Sequence, residues 1–143
     1  MIKEENKMKK KNLLGCFLVF LVSITLLSCA TVPTGPLTPG ELRLLSMNVL
    51  ELHIDRGIPF KVDISFEADG KPQIKGACFY WSGEGPYCMR RNIDVQYGTP
   101  GHLTLSLINN NPGPYILEGY VEYIRDGKTQ ITNRVASTIS VHW

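Results

Sequence analysis

Between Phe60 and Glu67 apolar and polar side chains alternate without a break. Phe60, Val62, Ile64 and Phe66 fall on one side; Lys61, Asp63, Ser65 and Glu67 fall on the other. A strict period of two predicts a strand with one buried face and one wet face. Asp69-Gly70 supplies a turn after it. The pattern returns at residues 92–97, with Ile93, Val95 and Tyr97 on one face, and at 102–108, with Leu103, Leu105 and Leu107 inward. Residues 73–81 read as another strand, ending in Cys78-Phe79-Tyr80-Trp81. Residues 82–86 read as a Gly-rich loop, Thr99-Pro100-Gly101 as a break, and 109–114 as a turn cluster. Residues 115–125 predict a long strand, Asp126-Gly127 a hairpin turn, and 129–141 the antiparallel return. Residues 42–53 read as one long strand or a strand with a bend. A short helix is the alternative there, because Glu, Leu and Arg are good helix formers. About seven short strands with turn signals between them predict an all-β chain, an antiparallel β-sandwich.

The N-terminal part follows another rule. Lys3, Lys7, Lys9, Lys10 and Lys11 precede an uncharged run from Leu13 to Leu27, rich in Leu, Val, Phe and Ile. At about 15 residues the run has the length of a signal-peptide core. It is shorter than the roughly 20 residues of a spanning helix, which is the alternative. Leu26-Leu27-Ser28-Cys29 resembles a bacterial lipobox. That resemblance implies a diacylglyceryl thioether on Cys29, cleavage before it, and residues 1–28 as a leader. There is no twin-Arg pair, so the general export route is expected. Ala30 is not Asp, and the resemblance therefore implies no retention in an inner membrane. The expected location is the cell envelope, lipid-anchored, and the outer membrane if the cell is Gram-negative. Residues 29–40 then form the lipidated end and its tether. Three prolines bias the tether toward extended polyproline II, setting the domain roughly 30 Å from the bilayer. An edge strand is the alternative, weakened because proline cannot donate to a ladder.

Residues 41–143 make the folded domain. Asn111-Pro112-Gly113-Pro114-Tyr115, then a long strand, Asp126-Gly127 and a final strand, resemble the end of immunoglobulin-like bacterial domains. There a Pro-Gly turn precedes a Tyr that packs at the sheet corner. The resemblance implies an immunoglobulin-like sandwich. The inter-sheet cysteine pair and central Trp of antibody domains are absent from their usual places.

Charge changes with the leader. The chain holds 15 basic and 13 acidic residues; five Lys and two Glu lie in the leader, leaving ten basic and eleven acidic. No basic stripe remains to neutralise phosphates, which disfavours nucleic acid as a partner. Of four cysteines, Cys16 leaves with the leader and Cys29 is the lipid site. Cys78 and Cys88 remain, and in an oxidising compartment they are expected to pair as a disulfide. Metal binding by this pair does not match zinc-site spacing.

Candidate chemistry is sparse. His53 and Asp55 share a strand face, as half of a metal site or an oriented base, or simply as a solvated edge. His102 and His142 stand alone. Asp63, Glu67 and Asp69 lack the spacing of a calcium loop. Gly83-Glu84-Gly85 lacks the third glycine and the helix of a dinucleotide fingerprint. No nucleophile elbow, metalloprotease motif or phosphate loop is present. No catalytic residue, metal or cofactor is expected, and the domain reads as a non-enzyme.

The segment that stands out carries Phe79, Tyr80, Trp81 and Tyr87, with Arg90 and Arg91 beside it. Closed by Cys78 and Cys88, it reads as a recognition loop of rigid rings that stack on sugars or fill partner pockets. The plainer reading is that two of the rings cap the core. The expected function is a membrane-anchored envelope lipoprotein with a non-catalytic binding or structural domain. The alternatives are a carbohydrate-binding module using residues 79–87, or an accessory subunit of an envelope enzyme. Expected partners are the membrane through Cys29 and an envelope protein or glycan.

Overall fold

The computed structural model describes residues 32–143. The expected leader at 1–28, the lipidated Cys29, and tether residues Ala30 and Thr31 lie outside the described residues. The described chain forms ten strands and no helix: β1 (Leu42–Val49), β2 (Ile54–Asp55), β3 (Phe60–Ala68), β4 (Gln73–Trp81), β5 (Glu84–Met89), β6 (Asp94–Gln96), β7 (Gly101–Leu107), β8 (Gly113–Arg125), β9 (Lys128–Ile131) and β10 (Val135–His142). Two sheets pack face to face as a β-sandwich. One has the order β1-β3-β7-β6; the other has the order β2-β10-β8-β4-β5, with β9 beside the second half of β8. Each pairing is antiparallel except that of β2 with β10.

The period-two segments build the core. Phe60, Val62, Ile64 and Phe66 point inward, opposite Leu107, Leu105, Leu103 and Gly101 of β7. Gly101 makes room for the Phe66 ring, since a Cβ there would lie 2.5 Å from the ring carbons. The second sheet answers with Ala77, Phe79, Leu117, Val121 and Tyr123, and with Val135, Ile139 and Val141. Burial of each large apolar side chain contributes about 1.5–3 kcal/mol.

The strand boundaries depart from the sequence expectation where the inward phase shifts. In β1, Leu42 and Leu44 face the core, and so do Met47 and Val49. One extra residue, Leu45, must be absorbed between them, and the register with β3 shifts there as a bulge. Asn133 satisfies the exposed backbone: its Oδ1 accepts from the Leu44 amide (2.9 Å) and its Nδ2 donates to the Leu44 carbonyl (2.9 Å). After β1 the chain crosses to the other sheet as β2. The expected loop at 82–86 shrinks to a two-residue turn, Ser82-Gly83, both at positive φ (47° and 90°), and β5 starts at Glu84. Two positive φ values match the right-handed twist of a hairpin. Asp126-Gly127 turns the same way (51° and 72°), as expected. The return strand splits into β9 and β10 because Thr132 turns inward, its amide donating to the Val121 carbonyl and its Oγ1 accepting from the Val121 amide (both 3.0 Å).

The described part of the tether is not a free spacer. Arg43, only 6 % exposed, lies under it. Its Nη1 donates to the carbonyls of Pro33 (3.0 Å) and Gly35 (2.6 Å) and to Glu67 Oε1 (3.3 Å); its Nη2 donates to Glu41 Oε1 (3.0 Å). Five fixed N–H donors let one guanidinium hold the tether and two carboxylates together. The other Glu41 oxygen accepts from the Thr38 amide (2.8 Å) and hydroxyl (2.7 Å). The Thr38 hydroxyl, then its amide, with Arg43 behind them, hold the Glu41 carboxyl at about 2, against an ordinary 4.5.

A folded value below the unfolded one means that this clasp contributes fully above pH 4.5 and weakens as pH falls from 4.5 toward 2. The Thr38 amide resonance of the folded protein is expected to shift with a midpoint at about pH 2, and to show no such step in Glu41→Gln. A midpoint near 4.5 would contradict the clasp.

Candidate functional site

The β4–β5 hairpin and the β7–β8 turn form the two sides of a cleft of about 700 Å³. It opens at the end of the sandwich where β4 and β7 finish, the end away from the start of β1. Alternation along β4 turns Phe79 and Trp81 toward it. Phe79 is 1 % exposed and forms part of its floor. Trp81 sits at the rim, its ring edge-on to Phe60 (centroids 6.1 Å) and to Tyr115 (5.9 Å). Tyr87 stands opposite Phe79 in β5, on the same side of the sheet, and is 56 % exposed.

The facing wall is the turn after β7. Ile108 is exposed there, and Asn109, Asn110 and Asn111 follow it into the cleft lining. The turn is fixed from within. Asn109 Oδ1 accepts from the Asn111 amide (2.9 Å), an Asx turn, and Tyr115 Oη donates to the Asn111 carbonyl (3.1 Å). The Gly57 amide donates to the Asn109 carbonyl (2.8 Å). Glu84, Ser82 and Ser106 add polar groups, and among the described residues no Lys, Arg or His lines the cleft.

On the reverse of the same hairpin, Cys78 and Cys88 are directly opposed and bonded, with Cα atoms 4.0 Å apart. The pair joins two strands rather than a strand and a loop, because β5 starts earlier than the glycines implied. Closing a loop this short stabilises by roughly 3 kcal/mol on the chain-entropy model.

The six residues singled out from sequence therefore divide between two faces. Phe79, Trp81 and Tyr87 meet in the cleft. Tyr80 points out of the other side of the sheet. There the Arg134 guanidinium lies 4.4 Å over its ring and Nη2 donates to its Oη (3.2 Å), with Tyr120 beside it (6.2 Å). Burial, with Tyr80 and Glu122 adding to it, pushes the Tyr120 phenol above its ordinary value. Arg90 reaches Glu122 on this outer side (3.7 Å), and Arg91 is exposed. Sequence reasoning missed Glu84, Ile108 and the three asparagines as cleft residues. The run Asn109-Asn110-Asn111 was the available signal, and it reads only as a turn until β5 is placed across from it.

The remaining titratable groups sit elsewhere. His102 Nδ1 is 3.0 Å from Asp63 Oδ2, and Thr104 donates to the other Asp63 oxygen (3.2 Å). His53 Nε2 is 3.0 Å from Asp55 Oδ1 and its ring stacks on His142 (4.4 Å). Neither pair lines the cleft. Asp69 accepts from the Gly40 amide (2.9 Å) and Glu67 pairs with Arg43, so the carboxylates near the β3 turn face separate partners. Cys78, Cys88 and Glu122 bring metal-ligand atoms together, but both sulfurs are in the disulfide and offer no thiolate. Comparison with family models, curated proteins and solved structures finds no match to this chain.

The two rim rings do different work. Trp81→Ala is expected to lower stability by about 2–3 kcal/mol, since it removes the packing against Phe60 and Tyr115. Tyr87→Ala is expected to stay within about 0.5 kcal/mol of the parent. Urea midpoints measure both; equal losses would contradict the assignment of Tyr87 to the cleft surface.

Proposed function

We propose that this chain is an exported lipoprotein, lipidated on Cys29, whose immunoglobulin-like domain binds a partner through the cleft without catalysing a reaction. The lipobox resemblance at Leu26-Leu27-Ser28-Cys29 supports the anchor. The immunoglobulin-like reading draws support from the order β1-β3-β7-β6 against β2-β10-β8-β4-β5 and from the parallel β2–β10 edge. The Tyr115 hydroxyl, bonded back to the Asn111 carbonyl, has the form of a tyrosine corner and supports it further.

The observation that carries the binding reading is the position of the cleft relative to the tether. The tether joins the sandwich where β1 begins. The cleft lies beyond the far ends of β3 and β4. A nine-residue strand such as β3 spans roughly 30 Å. A partner can therefore enter the cleft without meeting the residues that hold the described tether, Pro33 and Gly35 against Arg43. The disulfide fits an oxidising envelope.

Expression of the full chain with tritiated palmitate tests the anchor. Label and membrane recovery are expected for the parent, with a mature mass starting at Cys29, and loss of both is expected for Cys29→Ser. Full-length, unlabelled protein in the cytosol would contradict the proposal.

A further inference from the structure

A ligand must match what the cleft offers. Tyr87 and Ile108 present exposed apolar surface, 56 % and 53 % accessible, with the edge-packed Trp81 and Tyr115 behind them. Flat apolar surface of this kind accepts the face of a ring. Asn110 and Asn111 are exposed, and each side-chain amide carries a donor and an acceptor at fixed separation. That pairing matches two neighbouring hydroxyls. Glu84 adds a carboxylate, which accepts from hydroxyls and repels anions.

The charge pattern selects further. With no Lys, Arg or His among the described lining residues, a phosphate, sulfate or carboxylate would be desolvated there without a counter-charge. A molecule with apolar ring faces, edges crowded with hydroxyls and no charge fits this combination: a neutral saccharide. About 700 Å³ lies in the range of ligand clefts, and the open end lets a chain continue beyond it.

We propose that the cleft between the β4–β5 hairpin and the Asn109–Asn110–Asn111 turn binds an uncharged oligosaccharide, stacked on Tyr87 and hydrogen-bonded by Asn110, Asn111 and Glu84. This rests on the reading of the cleft as the recognition surface and names its ligand class.

The full mature chain, held in a sugar-free detergent, is titrated calorimetrically with cellohexaose, chitohexaose, maltohexaose and, as the charged comparator, hexagalacturonate. At least one neutral hexasaccharide is expected to bind with a dissociation constant between about 10 µM and 1 mM. Tyr87→Ala is expected to weaken it about tenfold or more, and Asn110→Ala with Asn111→Ala by a similar factor. Hexagalacturonate is expected to bind at least about tenfold more weakly. No binding of any neutral hexasaccharide, or binding unmoved by these substitutions, overturns the proposal. A photo-cross-linking residue in place of Tyr87, used in intact cells, separates the two readings. Cross-links to protein without saccharide binding overturn the saccharide and leave a recognition cleft. Neither cross-links nor saccharide binding removes both.

Discussion

Strand β5 buries almost nothing, and the covalent bond from Cys88 to Cys78 is what ties it to a strand that does. Every residue of β5 except Met89 is exposed. A strand without an apolar face gains little from packing, and an edge hairpin of two strands is marginal by itself. The disulfide links this exposed strand to β4, whose Ala77, Cys78 and Phe79 are fully enclosed. It thereby fixes Tyr87 and Glu84 opposite the asparagine turn. One bond thus connects two levels: a fold whose edge is held in register and a cleft with a stationary wall.

The rest of the sandwich needs no such device. Phe60, Val62, Ile64 and Phe66 meet Leu107, Leu105, Leu103 and Gly101 across a ladder, and the second sheet closes over them. This part was legible in the sequence because period-two alternation is local: each residue's side of the strand follows from its neighbours alone. The turn at Asp126-Gly127 was legible for the same reason. Both of its residues must take positive φ, and the sequence supplies the types that do so.

What escaped the sequence depends on distant partners. The bulge at Leu45 shows only as an irregular apolar spacing, and its backbone is satisfied by Asn133, far along the chain. Nothing local marks Arg43 for burial, yet it lies beneath the tether because the carbonyls of Pro33 and Gly35 and the carboxylates of Glu41 and Glu67 converge on it. The tether therefore reads as a spacer until that convergence is seen. The cleft is the same case. Its aromatic half lies in one segment and was visible, but alternation sends Tyr80 to the opposite face, a separation obscured by the assumption of a loop. Its polar half, Asn109 to Asn111, faces the aromatic half only through the sheet order.

Hydrogen exchange read by mass spectrometry, on the full chain before and after reduction of Cys78–Cys88, tests the role of that bond most directly. Residues 84–89 are expected to lose protection on reduction while β3 and β8 keep theirs. Equal protection of residues 84–89 in both states, or opening of β3 and β8 together with β5, would contradict a cleft wall held by the disulfide.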